Sequence, residues 1–449
     1  MKIKFLGAAG TVTGSSYVLT SGSGQSILID LGMFQGLPEI DELNYKPFEY
    51  DCSLLSGAVL AHAHLDHCGR LPILIPRGFK GNIWMTPSTR DLTELSLLDS
   101  ARIATNEKTK VLYDTDLAEK TLTHFKTVGY RTPFQIGDFR IFMRDAGHIV
   151  GSASLEIEDA QANSEIRKIV FSGDLGNSPE DLTQATEMIS DADAVVMEST
   201  YGDRLHPDGD PIEMLQSEIN AIEHLGGTLL IPAFALERTQ ELLHMIMHLK
   251  EDQKIKEETP IFLDSPMAEK ATEVYMNYPE IFNTHIQNDL KRGSLFNFPG
   301  LEVIFRRPQS EALHRRQGPK VIIAGSGMMT GGRIVGHAAR YLPLASSRLL
   351  IVGYQGEGTL GRDLMEGKKQ VTIEGINIQV MAKVNVTHAM SSHADQQQLF
   401  EWLKHIKNVK KVFLTHGEDE SRTVLAKKIS DELRIRNIAL PTLNQEISF

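Results

Sequence analysis

Short apolar runs closed by Gly, Pro, Ser or Asp recur along the first part of the chain, at 3–6, 17–19, 27–31, 58–61, 83–85, 139–143 and 169–171. Runs of this length between turn formers predict β-strands. Two stretches of helical pattern, 88–109 and 116–124, interrupt them, so sheets flanked by helices are expected. From about residue 205 the pattern changes. Apolar runs at 228–231, 261–263, 321–324 and 349–352 each lead into a Gly- or Pro-bearing loop, and helical patterns follow at 238–250, 267–276 and 333–341. Four such units predict a parallel sheet with crossover helices, a doubly wound α/β domain that binds ligands beyond the carboxyl ends of its strands. No solenoid repeat or low-complexity linker is visible. The most apolar window, 226–236, is broken by Pro232 and falls short of the roughly 18 residues of a membrane span. The start reads as a first strand rather than a secretory leader, and a cytoplasmic protein is expected.

Composition narrows the chemistry. At 449 residues the chain is long enough for two or three domains or for one fold with a large insertion. Its two cysteines, Cys52 and Cys68, supply neither a disulfide framework nor a Cys-rich zinc site, so metal chemistry must come from His, Asp or Glu. The formal net charge of -12 argues weakly against a protein that coats nucleic acid, because that affinity comes from Lys and Arg neutralising phosphates. The charge is uneven, however. Residues 291–362 carry 11 Lys+Arg against 3 acidic residues, a local excess of cations inside the doubly wound region.

The strongest chemical signal is His62-Ala-His64-Leu-Asp66-His67, directly after the apolar run ending at Ala61. Four potential ligands within six residues at a strand exit can converge on one point, and neutral imidazole with carboxylate suits Zn²⁺. His148, Asp174 and His416 each stand alone at the end of an apolar run among glycines, and beside the first cluster they become ligand candidates. His244 and His248 are four apart on an expected helix, but Met245 occupies the place of the catalytic Glu of HExxH, so no metalloprotease-like site is expected there. No chemistry is assigned to His388 or the remaining histidines.

HxHxDH followed by a separated His, Asp and His resembles the metallo-β-lactamase fold, an αββα sandwich with a dinuclear zinc site. The resemblance implies that one zinc takes His62, His64 and His148, that the other takes Asp66, His67 and His416, and that Asp174 bridges them; Mn²⁺ is an alternative to Zn²⁺. Asp30, in Ile27-Leu-Ile-Asp-Leu-Gly32, matches the superfamily's first motif, where an Asp buttresses the metal histidines. Cys68 lies next to His67, yet the family does not use it as a ligand.

Asp174 and His416 are 242 positions apart, more than a simple hydrolase of this fold needs. Flanking and within that interval, 195–202, 234–243, 325–333, 353–362 and 391–395 resemble the β-CASP nucleases, a group that includes RNase J and the endonuclease of eukaryotic mRNA 3′ processing. The implied architecture is a metallo-β-lactamase αββα sandwich (1–203 and 391–449) with an inserted doubly wound α/β β-CASP domain (204–390) clamped over its groove. The implied activity is metal-dependent hydrolysis of RNA in processing or decay, endonucleolytic or 5′-3′ exonucleolytic, leaving a 5′-phosphate and a 3′-hydroxyl. Two such cations can share a hydroxide that is nucleophilic at neutral pH.

By the same resemblance Asp66, Glu198 and His393 are the catalytic residues, with Glu198 orienting His393 to serve the leaving group. A His at the last metal motif, here His416, is typical of RNA-directed members, whereas the DNA-repair branch carries Val. Single-stranded RNA is therefore the expected partner, and family members often dimerise. For gripping its backbone the candidates are Ser326, Gly327, Gly332 and Arg333 on the Gly-rich segment, with Arg238 and Arg362. Phe234, Tyr201 and Tyr354 are candidates for base stacking or for the core. The competing readings are a small-molecule hydrolase of the same fold such as a thioesterase or lactonase, a DNA nuclease, and a non-catalytic scaffold subunit of a processing complex.

Overall fold

The computed structural model describes residues 1–106, 110–161, 165–177, 182–207, 209–293, 295–387 and 389–449. His388, and 107–109 of the helical pattern expected over 88–109, lie outside them. The chain divides into two compact units, one formed by Met1–Leu205 with His393–Phe449 and the other by His206–Ser392.

The first unit is built on two seven-stranded sheets. One runs Glu446–Ser448, Lys2–Phe5, Tyr17–Thr20, Ser26–Ile29, Leu55–Val59, Ile83–Met85 and Phe125–Thr127. The other runs Ile438–Ala439, Lys411–Leu414, Ala194–Met197, Lys168–Phe171, Ala153–Asp159, Phe139–Asp145 and Phe134–Ile136. Side chains alternate between the faces of a strand, and the apolar runs show why both faces are covered. Ile169 and Phe171 join Ile3, Phe5, Leu19, Ile27 and Leu155 between the sheets. Val170 between them points the other way, with Val195, Met197 and Leu414, onto Leu399, Trp402 and Leu403 of the helix Gln396–His405 and Leu425 and Ile429 of Asp419–Glu432. The helix Pro87–Asn106 covers the far face of the first sheet through Leu97 and Ala101. The result is helix, sheet, sheet, helix. Each fully buried Leu, Ile or Val in these layers contributes about 1.5–3 kcal/mol.

The strand Ala153–Asp159 had no counterpart in the apolar pattern because Glu156 interrupts it. That glutamate is buried and tolerated because the Lys168 ammonium lies 2.6 Å from it and Arg144 also pairs with it.

The second unit holds a six-stranded, wholly parallel sheet in the order Leu301–Val303, Ile261–Asp264, Lys320–Ala324, Thr228–Pro232, Arg348–Ile351, Lys383–Val386. Four of these strands were legible as apolar runs. The two outermost, with Glu302 and with Lys383 and Asn385, are short edge strands of mixed polarity, which is how sheets blunt their edges. The helix Pro211–Leu225 was not anticipated either, although its signals are local. Asp210 caps it by accepting from the Ile212 amide, Pro211 opens it, and Gly226 closes it in the left-handed conformation. All six strands run the same way, so the loops after 232, 264, 324 and 351 gather at one edge. Among the described residues no helix is long and apolar enough to cross a membrane.

Candidate active site

Every residue of the centre sits where a strand of the first unit ends. His62 and His64 follow Leu55–Val59, and Asp66 and His67 lie on the one-turn helix Leu65–Cys68. His148 follows Phe139–Asp145, Asp174 follows Lys168–Phe171, Glu198 follows Ala194–Met197, and His416 follows Lys411–Leu414. The one-turn helix is clamped by its own backbone. Its Leu65, Asp66 and His67 carbonyls accept from the Met33, Ser15 and Leu31 amides at 2.7–2.9 Å. This approach requires Gly32, since a Cβ there would lie 1.4 Å from the Asp66 carbonyl oxygen. Asp30 and His416 both adopt positive φ, 54° and 49°, a costly conformation of the kind that clusters at functional sites.

The donor atoms form two groups that share one carboxylate. In the first, His62 Nε2 and His148 Nε2 lie 3.0 and 3.1 Å from His64 Nδ1, and 3.5 and 3.7 Å from Asp174 Oδ2. In the second, His67 Nε2 is 3.3 Å from His416 Nε2 and 3.2 Å from Asp174 Oδ1, while His416 Nε2 is 3.3 Å from Asp66 Oδ2. Four donors about 2.0–2.1 Å from a tetrahedral ion lie about 3.3–3.4 Å from one another, which is the spacing seen here. Asp174 Oδ1 is buried without a hydrogen-bond donor, as a carboxylate oxygen aimed at a cation would be. The residues therefore fit a pair of divalent ions.

The surrounding bonds prepare the imidazoles. His67 donates through Nδ1 to Asp30 Oδ2 at 2.7 Å, and Asp30 Oδ1 accepts the Ala61 amide at 2.7 Å, so the His67 Nε2 lone pair faces the centre. Thr200 donates to Glu198 Oε2 at 2.7 Å, leaving its oxygen to accept from His416 Nδ1 at 3.0 Å. Thr200 thus orients His416; sequence reasoning gave it no role, although it lies within the 195–202 motif. Burial lowers the pKa of His62 well below the ordinary value and that of His64 to about 4, keeping both neutral as ligands must be. Burial opposes a negative charge on Asp66, yet the hydrogen bond to His416 and the nearby His67 hold it at about 2. Burial also opposes a charge on His67, but the Asp174 and Asp30 carboxylates outweigh it and push that pKa well up; the same field attracts a metal cation.

His393 stands beside this centre, its Nε2 4.0 Å from Asp174 Oδ2. Its Nδ1 donates to Glu198 Oε2 at 3.1 Å, and Glu198 is itself fixed by the Leu175 amide at 2.6 Å. Burial disfavours the imidazolium, but Glu198 overrides it and raises the pKa to about 9. Cys68 is fully buried, its thiol donates to the Ala63 carbonyl at 3.4 Å, and burial pushes its pKa well up, so it stays a neutral thiol.

The chain matches the metallo-beta-lactamase superfamily over residues 9–212, the Beta-Casp domain over 239–364 and the Zn-dependent metallo-hydrolase RNA specificity domain over 377–441. It is 34% identical over 449 residues to a Thermus thermophilus protein named ribonuclease TTHA0252, covering 100% of both chains. The chain belongs to the β-CASP family of metallo-β-lactamase-fold ribonucleases. Another relative is RNase aCSPSF2 of Saccharolobus solfataricus, 31% identical over 99% of this chain and 85% of that one. Cleavage and polyadenylation specificity factor 73 of Drosophila melanogaster is 29% identical over 95% of this chain and 61% of that one. A crystal structure of an Enterococcus faecalis V583 protein of unknown function shares the fold, with a TM-score of 0.54 at 13% identity over 99% of both chains. This β-CASP chain is a metal-dependent hydrolase of the RNA-processing class.

The residues expected to grip RNA fall in the second unit and differ among themselves. Ser326, Gly327 and Gly332 lie on the loop after Lys320–Ala324, tied to the loop after Arg348–Ile351 by Gln355, which donates to the Gly327 carbonyl at 2.8 Å. Gly327 must lack a side chain because a Cβ would lie 2.6 Å from the Phe234 ring, so Phe234 packs against the loop. Tyr201 is buried in the first unit, with its ring 6.4 Å from that of His393, and Tyr354 is half-buried. The arginines differ in how far they are already engaged. Arg238 is 3% exposed and its guanidinium is engaged by Glu241 and by Ser392 at 2.7 Å. Arg333 donates to Asp264 and to the Ile304 and Phe305 carbonyls, each carbonyl at 2.7 Å. Both read as internal struts. Arg362 is more exposed and pairs with Glu366, one turn away, at 2.6 Å.

Proposed function

We propose that this β-CASP chain is a zinc-dependent ribonuclease that hydrolyses phosphodiester bonds of single-stranded RNA, leaving a 5′-phosphate and a 3′-hydroxyl. His62, His64 and His148 would hold one ion, Asp66, His67 and His416 the other, and Asp174 would offer an oxygen to each. Held there, such ions would supply a hydroxide at neutral pH and offset charge on the scissile phosphate. The protein's own residues do the rest. Asp30 and Thr200 keep His67 and His416 turned toward the centre. Glu198 accepts a hydrogen bond from Nδ1–H of the His393 imidazolium, which turns its Nε2–H toward the centre to protonate the departing 3′ oxygen.

The observation that carries the reading is Asp174 placed between two histidine-rich donor groups with the Glu198–His393 pair beside it. Two relatives named ribonuclease and RNase support RNA as the substrate. The test is cleavage of 5′-labelled RNA by wild type and His393→Ala, with zinc measured in both. The variant is expected to keep its zinc and lose about 10²–10⁴-fold in rate. Unchanged cleavage would remove His393 as the general acid. Cleavage of a thioester or of single-stranded DNA in preference to RNA would overturn the substrate.

A further inference from the structure

A second constellation of metal-ligand types lies entirely within the His206–Ser392 unit. His244 and His248 are one turn apart on the helix Arg238–Glu251, and His285 and Asp289 are one turn apart on Thr284–Leu290. Donor atoms of His244, His248 and Asp289 converge, and His285 approaches Asp289. His244 Nε2 and His248 Nε2 are 3.0 Å apart, with ring planes at 87°. Asp289 Oδ2 lies 3.7 Å from His244 Nε2, 3.5 Å from His248 Nε2 and 3.6 Å from His285 Nε2. His244, His248 and Asp289 therefore bring three donor atoms within 4.8 Å of one another, at separations that scatter around the edge of about 3.3–3.4 Å for a tetrahedral Zn²⁺ site, and His285 reaches the same carboxylate oxygen from the second helix.

Asp289 supplies the independent observation. The residue is 6% exposed, and its Oδ2 has no hydrogen-bond partner. Its other oxygen is engaged by Arg292 at 3.3 Å, so the unpartnered one is the one aimed at the three imidazoles. A buried carboxylate oxygen left so costs stability unless a cation fills the gap. Absence of the HExxH glutamate, with Met245 in its place, removes a metalloprotease-like water activator but not the ligands.

We infer that His244, His248, His285 and Asp289 form a third, structural zinc site that staples the helices Arg238–Glu251 and Thr284–Leu290. Three ligands converge already, and His285, beside Asp289, would close the set at four, the pattern of a structural rather than a catalytic ion. His285 is mostly exposed and His248 partly so, which gives an ion a route in from solvent.

The test uses untagged full-length protein, apo after chelation and titrated with Zn²⁺ alone. Tight zinc is expected to exceed that of a His248→Gln/His285→Gln variant by one equivalent. RNA cleavage should be equal in the two proteins, because neither residue serves the reaction. A second arm uses Asp174→Asn, crippled at the first-unit centre: Zn²⁺ should still raise its melting temperature, and adding His248→Gln/His285→Gln should abolish that rise. The same number of zinc equivalents in wild type and double variant would overturn the site. So would an unchanged thermal response in the second arm. Since both readouts are independent of RNA hydrolysis, failure here leaves the proposed function standing, and the converse holds.

Discussion

The two regions expected to meet RNA are built on opposite principles. In the first unit, ionisable side chains of the centre converge with their lone pairs facing one another, a state that demands something positive between them. In the second, at the carboxyl edge of the parallel sheet, two of the three candidate arginines already have their partners inside the protein. The wider basic stretch is divided. Arg348 is likewise held by the buried Glu218, whereas Arg292, Arg307 and Arg316 stay exposed in their pairs, which leaves those cations accessible. The lesson is that unsatisfied geometry marks a site, whereas a count of charges does not.

The sharpest way to break this comparison is Asp174→Asn, which leaves the shape and removes the charge shared by both donor groups. Zinc content in the first-unit centre and RNA cleavage should both collapse, the rate falling beyond the about 10⁴-fold upper end of a general acid's contribution. Metal analysis and a labelled-RNA assay check it. Retained zinc with retained cleavage would show that the convergent carboxylate is not what holds the centre together.

That difference also explains what the sequence could and could not reveal. His62, His64, Asp66 and His67 are legible because strand ends fix where they point and few structural roles call for so many ligands in one turn. Thr200 was not, since a threonine after a strand has many uses and only its bonds to Glu198 and His416 single out one. For Arg238 and Arg333 the sequence hid the opposite, that folding gives each an internal acidic partner. Their partners Glu241 and Asp264 are ordinary acidic residues until folding brings them together, and an arginine beside a glycine loop looks free to bind phosphate. The parallel sheet was legible from its buried strands and illegible at its edges, where apolar content falls because one side has no neighbour.

A smaller effect is expected from Glu198→Gln. In metal-free protein the His393 ring should titrate near 9 by NMR, above the ordinary His value of about 6.5, because the Glu198 carboxylate outweighs burial. A folded-state pKa raised in this way contributes stability that is fully present below about pH 6.5 and is lost as pH rises through about 9. With Gln, burial remains and the largest compensating charge goes while Asp174 and Asp66 stay, so the pKa should fall from about 9. The zinc-loaded variant should cleave RNA more slowly. An unmoved titration would detach His393 from Glu198.

The subtlest test sets Arg362 against Arg238, both candidates for the same task. Arg362→Ala removes a solvent-accessible ion pair worth about 0–1 kcal/mol, so the melting temperature should barely move. If the loop edge touches the RNA backbone, withdrawing one cation from a phosphate should reduce the slope of log affinity against log salt by about 0.7 for a single strand. Arg238→Leu should do the reverse. Removing one partner of the buried Arg238–Glu241 pair costs about 3–5 kcal/mol of stability, with the salt slope unchanged in the protein that remains folded. Thermal unfolding and salt-dependent RNA binding measured on both variants separate the roles. A salt-slope change in Arg238→Leu would mean that its internal partners release it when RNA arrives, and the contrast between a region awaiting a ligand and one already satisfied would then hold only for the free protein.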